Sequence, residues 1–296
     1  MKKTWKLGLP VLATACILSI VYAAKGLYPF GSLSIAWGDM TQQVIPLLDE
    51  FRDMLLLKTD FLYSLQNAGG MNFWGVFLFF IASPFSLLTV FVDKADMAVF
   101  MNLLVGLKMM VCALTASIFF DRVFPKLETG FAAALSVSYA FCGYAMLFYQ
   151  NVVWLDMMYL FPLLLLSLRY LAQTGRFLPY TLCLAGMIAI HFYLSYMVLA
   201  FLVLISCLWI YFHGREEASF SRAVSLGVGT LCAGLCTAVV WLPSLLQYLG
   251  SARGENLFSS LSQGSFLTRM DTIGMLVLCT ACLVPVFLYR TCRLRA

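Results

Sequence analysis

Eight long apolar runs govern what this chain can fold into: residues 7–27, 98–120, 129–149, 157–171, 178–191, 194–212, 223–242 and 272–289. About 20 apolar residues in a helix cross the roughly 30 Å hydrocarbon core of a bilayer. In lipid, each backbone N–H and C=O must find its partner inside the protein, which leaves helices and closed barrels as the spanning structures. Runs of this length are helical spans. The predicted fold is therefore all-α, a polytopic transmembrane helix bundle of about eight spans forming one domain over residues 1–296. Composition agrees. Apolar residues make up 62% of the chain and charged residues 11%, against about 45–50% and 25% in soluble domains. That much apolar surface could not be hidden from water in a globule of this size. No basic run points to nucleic acid.

A ninth run, 73–92, is interrupted by Ser83-Pro84. Proline lacks an N–H and clashes with the preceding turn, so each half is too short to span. Lys and Arg decide how to count it, because they are retained on the cytoplasmic side. With Lys2, Lys3 and Lys6 inside and 73–92 returning to its own side, Arg122, Lys126, Arg169, Arg176, Arg215, Arg222, Arg290, Arg293 and Arg295 all fall inside. Counting it as a crossing reverses those later loops. Eight crossings plus one re-entrant or surface segment is the expected topology, with both termini cytoplasmic. The N-terminal run follows Lys2-Lys3 as a signal peptide would, but it is long enough to span and is expected to stay as an anchor. Nine of the ten cysteines lie within apolar runs and Cys292 just beyond the last, where they act as small hydrophobes.

This topology creates a large extracytoplasmic loop at 28–97, a short one at 150–156 and another at 243–271. Within the first, Val44, Leu47, Leu48, Phe51 and Leu55 recur at helical spacing and predict an amphipathic helix on the membrane surface. Asp49, Glu50 and Asp53 then form its polar face. Asp39 and Asp156 are more telling, because a carboxylate at a membrane boundary is costly unless solvated, paired or working. Together they could hold a divalent cation such as magnesium or manganese. Asp39 could instead be a general base, and both could be solvated loop acids. His191, beside Tyr193, is a candidate binding residue or a hydrogen-bonded polar group at a span end. Arg253 and Arg269 suit phosphate. Lys108 lies inside a span and either snorkels or faces the bundle interior near a lipid head group. Tyr and Trp near the outer boundaries form an aromatic belt, which is compatible with a sugar site.

The order of these features resembles the bacterial YfhO-like membrane protein family. The resemblance rests on Gly38-Asp39-Met40-Thr41-Gln42-Gln43-Val44-Ile45-Pro46, then Asn67-Ala68-Gly69-Gly70-Met71-Asn72-Phe73-Trp74-Gly75, Ser83-Pro84-Phe85 and Ser138-Tyr139-Ala140-Phe141-Cys142-Gly143-Tyr144. Asn151-Val152-Val153-Trp154-Leu155-Asp156 with Pro162, and Phe192-Tyr193-Leu194-Ser195-Tyr196-Met197, complete the series. His191 stands where the family pattern carries Asn. The resemblance implies the N-terminal part of a family member. It implies a GT-C-like glycosyltransferase that takes a sugar from a polyprenyl-phosphate carrier at the outer face and decorates an envelope polymer such as teichoic acid. By that resemblance Asp39 is the catalytic acid of the first outer loop, and Asp156 an acid that helps bind metal. Arg253, His191, Tyr193 and Lys108 are the candidate substrate contacts. Two rival classes remain: a lipid or solute transporter or flippase, which would bury charge among broken helices, and a non-catalytic assembly subunit.

Overall fold

The computed structural model describes residues 2–67, 69–213 and 219–249. The chain divides into two compact units, Met1–Leu242 and Pro243–Ala296. The first unit carries nearly all the described residues. Its helices are α1 (Lys2–Lys25), α2 (Ile45–Leu55), α3 (Phe73–Phe80), α4 (Met97–Val123), α5 (Thr129–Ala140), α6 (Gly143–Phe148), α7 (Trp154–Thr174), α8 (Leu178–Ile190), α9 (Phe192–His213) and α10 (Ser219–Cys236). Helix α11 (Ala238–Leu249) carries Pro243 inside it, so the loop expected to begin at Pro243 is still helical through Leu249. The remainder of that loop and the run at 272–289 lie outside the described residues.

Four of the described helices are long and apolar enough to cross a membrane, and six if each bent pair counts as one span. The expected eight are therefore not all reached among the described residues. Helix α8, with 13 residues, extends about 20 Å at roughly 1.5 Å per residue, short of the bilayer core. One bent pair is the predicted interruption: α3 and the 3-10 helix Pro84–Phe91 meet at 106°. A bend of this size is found in a re-entrant segment and equally in a broken span. Its local cause is the Ser83-Pro84 pair. Ser83 accepts a hydrogen bond from the Phe85 N–H at 3.2 Å, and Pro84 opens the second half where its missing N–H is harmless.

Helix α4 is central, packing against α1, α5 and α7. It is apolar on every face, as a helix surrounded by other helices should be, and Met101, Leu104, Met109, Cys112 and Ala113 are buried on it. Between helices in lipid, apolar burial supplies little hydrophobic driving force, because lipid tails are as apolar as leucine. Van der Waals packing and polar contacts must hold such helices together, which gives weight to the polar groups that α4 carries inward.

The predicted amphipathic helix forms as α2, preceded by a π-helical turn at Met40–Val44. Val44, Leu47, Leu48, Phe51 and Met54 are buried on it. Its polar face, however, is not simply solvated. Glu50 is buried and accepts a hydrogen bond from Asn67 Nδ2 at 2.5 Å. Asp53 is paired with Lys94, and Arg52 meets Asp93 at 3.1 Å. Burial pushes the Asp49 carboxyl above its ordinary range, reinforced by nearby Asp53 and opposed by Lys94 and Arg52. The 63–72 hairpin and residues 93–94 cover this face, contacts that helical spacing alone cannot reveal.

Candidate active site

Asp39 is placed by Gly38, whose φ of +51° lies in the left-handed region that favours glycine. A side chain at position 38 would also come within 3.1 Å of Gln150 Oε1. The segment at Gln150 therefore lies directly against the Gly38-Asp39 corner, and Tyr149 reinforces this by donating to the Ile35 carbonyl at 3.4 Å. Asp39 occupies the N-cap position before the π turn, yet its side chain makes no capping hydrogen bond. It accepts one long bond, from Gln43 Nε2 at 3.4 Å. The carboxylate is half-buried at the positive end of a helix, with most of its acceptor capacity unused. Gly38→Ala should lower stability by about 1–2 kcal/mol through left-handed strain and displace Asp39. Gly143, with open space around it and no positive φ, is the control. Thermal unfolding of both alanine variants checks this; equal midpoints would contradict it.

The loop leading to this corner is held by Asn102 of α4, which is fully buried. Its Oδ1 accepts from the Ile35 N–H at 2.9 Å, and its Nδ2 donates to the Tyr28 and Leu33 carbonyls at 3.1 and 3.0 Å. Tyr22 of α1 donates to the Asn102 carbonyl at 2.8 Å. Sequence reasoning passed over Asn102. The available signal was a carboxamide in the middle of an apolar helix, which must be satisfied if buried.

Lys108 and Asp156 meet in the interior, both without exposure, at 2.5 Å. Lys108 Nζ also donates to Ser83 Oγ at 3.1 Å and to the Val152 carbonyl at 2.9 Å, so its three donors are all used. Ser83 Oγ donates in turn to Asp156 Oδ1 at 2.9 Å. Asp156 sits in the first turn of α7, where a carboxylate is favoured, and the Phe85 ring lies 5.5 Å from the ammonium. This cluster pins the bend between α3 and the Pro84–Phe91 helix to α4 and α7. Ser83 was read as a helix break only; its hydroxyl is also a member of the pin.

His191 separates α8 from α9 and is fully buried. Its Nδ1 accepts the Leu194 N–H at 3.1 Å, so the ring proton is on Nε2. Among the described residues, neither His191 Nε2 nor the buried Ser195 Oγ has a hydrogen-bond partner. Phe79 of the re-entrant segment lies against His191 at 5.3 Å and Tyr193 at 5.8 Å, and Tyr193 is exposed. The bent 73–91 segment thus touches the His191 junction with its first half and the ion pair with its turn. Arg253 lies outside the described residues.

The family model described as bacterial membrane protein YfhO matches residues 10–275, most of the chain. The chain belongs to the YfhO family of bacterial membrane proteins. A search of curated proteins finds no match, and neither does a search of solved structures. Membership places this YfhO-family protein in the membrane, in keeping with its apolar helices.

In this family member the predicted metal pair of Asp39 and Asp156 does not fit a divalent cation. Both Asp156 oxygens are engaged, one by an ammonium whose positive charge would repel the metal. Among the described residues no three His, Cys, Asp or Glu side chains converge as a metal site would need. Lys108 is likewise drawn away from the predicted substrate contact, since the protein uses every donor it has.

Proposed function

We propose that this YfhO-family protein is a GT-C-like membrane glycosyltransferase. Its donor would be a sugar on a polyprenyl-phosphate carrier, used at the outer face to modify an envelope polymer such as teichoic acid. The observation that carries this reading is Asp39: an underused carboxylate, presented by a left-handed glycine against the second outer loop. A carboxylate so placed suits a general base. Asp39 takes the proton of the acceptor hydroxyl as that oxygen bonds to the anomeric carbon. The bond from that carbon to the carrier phosphate breaks, and the phosphate leaves with the electron pair. His191 and Tyr193 contribute to the donor side, where an unsatisfied N–H and an exposed phenol can meet sugar or phosphate oxygens. Arg253 would face the phosphate. The buried Lys108–Asp156 pair holds the bent 73–91 segment, whose Phe79 lies against His191 and Tyr193.

Membranes bearing the full chain, supplied with radiolabelled polyprenyl-phosphate sugars and envelope polymer, should transfer label to the polymer. No transfer from any such donor would overturn the reading. Orientation belongs to it: Trp37 and Asn151 outside, Arg122 and Arg176 inside. Single cysteines at those positions, in a variant lacking native cysteines, should react with an impermeant thiol reagent from outside only at 37 and 151.

A transporter reading draws on the same buried pair and on the two bent helix pairs. The pair's hydrogen bonds are met within the protein, which suits a fixed pin better than an ion relay. Uptake or flipping of the lipid carrier without sugar transfer would favour that alternative.

A further inference from the structure

His191 and Ser195 are 0% and 1% exposed, and among the described residues neither His191 Nε2 nor Ser195 Oγ meets a hydrogen-bond partner. They stand one turn apart at the start of α9, where the Ser195 N–H donates to the His191 carbonyl at 3.1 Å. A bond of that kind closes a helical turn, and groups one turn apart are neighbours. Because His191 Nδ1 accepts the Leu194 N–H, the ring is neutral and Nε2 carries a donor. Ser195 Oγ both donates and accepts. Buried groups of this kind are costly to leave unpaired. Two of them side by side call for a polar atom that the chain itself does not supply.

The surroundings narrow the choice of that atom. No Asp, Glu, Lys or Arg occurs in 177–213 or in 73–92, the stretches that carry the pair and the Phe79 ring lying over it. Among the described residues no charged side chain acts on His191, and the Lys108–Asp156 pair at the nearby bend is neutral as a unit. A phosphate there would be a buried charge without a counter-charge. Aromatic rings are what the site offers instead. Phe79 lies 5.3 Å from His191, 6.2 Å from Phe192 and 5.8 Å from Tyr193, and Tyr193 lies 5.6 Å from Tyr196. A few neutral polar groups among aromatic walls suit an uncharged hydroxylated ring.

We propose that His191 and Ser195 form the subsite for the sugar of the lipid-linked donor. A sugar hydroxyl accepts from His191 Nε2–H and exchanges a second hydrogen bond with Ser195 Oγ. The six-membered ring of Phe79 covers the pair. Rotation of that side chain opens the place to a sugar ring of similar size, and the exposed Tyr193 and Tyr196 mark the way in. The inference takes its ligand from the glycosyl-transfer reading and rests on it. It goes further by assigning His191 to the sugar rather than the phosphate, and by adding Ser195 as a specificity residue.

Equilibrium binding, which requires no transfer, tests it. Native mass spectrometry of the full chain compares bare polyprenyl phosphate with polyprenyl phosphate carrying glucose, galactose or N-acetylglucosamine. At least one sugar-bearing lipid should bind about tenfold more tightly than the bare lipid, the size expected of one or two added hydrogen bonds. Ser195→Ala should cut that preference severalfold and leave the bare lipid unaffected, while Ser195→Thr, which keeps the hydroxyl, retains most of it. Without ligand, Ser195→Ala should unfold at the wild-type temperature, because the hydroxyl it removes has no partner to lose. Equal binding of all four lipids by the wild type would overturn the proposal, as would full preference in Ser195→Ala. Weakened binding of the bare lipid by Ser195→Ala would assign the site to the phosphate and overturn it too. So would a lowered unfolding temperature with the preference intact, which would make the pair a buried water site. A preference that depends on Ser195, in a protein that transfers no sugar, would uphold the subsite and overturn the glycosyl-transfer reading alone.

Discussion

Lys108→Met is expected to destabilise the folded protein by about 3–5 kcal/mol, because it leaves a carboxylate buried without its cation. Asp156 has no exposure, and apart from Lys108 its side chain accepts from Ser83 Oγ. Asp156→Asn should do comparable damage by orphaning an ammonium with equally little access to solvent. The double variant Lys108→Met/Asp156→Leu should recover most of the loss, since replacing a buried ion pair with apolar groups of similar volume is often neutral or better. The double variant then costs less than either single one, so the coupling between the two sites should exceed about 3 kcal/mol. Ser83→Ala, which removes one hydroxyl from a satisfied cluster, should cost about 1 kcal/mol. Denaturant unfolding of the purified proteins in detergent, followed by loss of helical signal, measures all four. Single variants that unfold at the wild-type midpoint would contradict a buried, mutually satisfied pair. The effect is large because helices in lipid have little hydrophobic force to fall back on.

Asp39→Asn should behave in the opposite way. Its carboxylate makes one hydrogen bond of 3.4 Å and caps nothing, so the folded protein should unfold at the wild-type denaturant concentration. If Asp39 is the base, the rate of sugar transfer should fall by about 10²–10⁴-fold. The amide cannot accept the proton, though it can keep the Gln43 contact. Asp39→Glu, which retains the acid but moves it, should recover part of the rate. The decisive comparison is between the two aspartates: one variant loses activity with stability intact, the other loses stability first. Wild-type transfer by Asp39→Asn, or wild-type levels of glycosylated polymer in cells relying on it, would remove Asp39 from the chemistry.

Much of the architecture was legible before any coordinates. Lipid offers no hydrogen bonds, so apolar length alone announces helical spans, and the four clearest spans fall within or close to the predicted runs. The break at Ser83-Pro84 was equally readable, because proline's missing N–H is a local fact. The helix α2 (Ile45–Leu55) followed from spacing. The ordered motifs indicated the family that the 10–275 match establishes. Asp39 stood out because a boundary carboxylate is costly, and that cost depends on one residue and its surroundings.

Tertiary structure decided how the polar residues are paired, which depends on which helices become neighbours. Lys108 and Asp156 are 48 residues apart and Ser83 is 25 residues from Lys108; no periodicity connects them. Read alone, Asp156 is an acid free to bind a metal, and Lys108 is a cation near a head group. Packing of α4 against α7 turns them into one neutral pin, for neither charge could remain buried without the other. The same holds for Asn102, whose three side-chain hydrogen bonds organise a loop more than 60 residues earlier in the chain. Sequence determines that such groups must be satisfied, and only the assembled bundle determines by which partner.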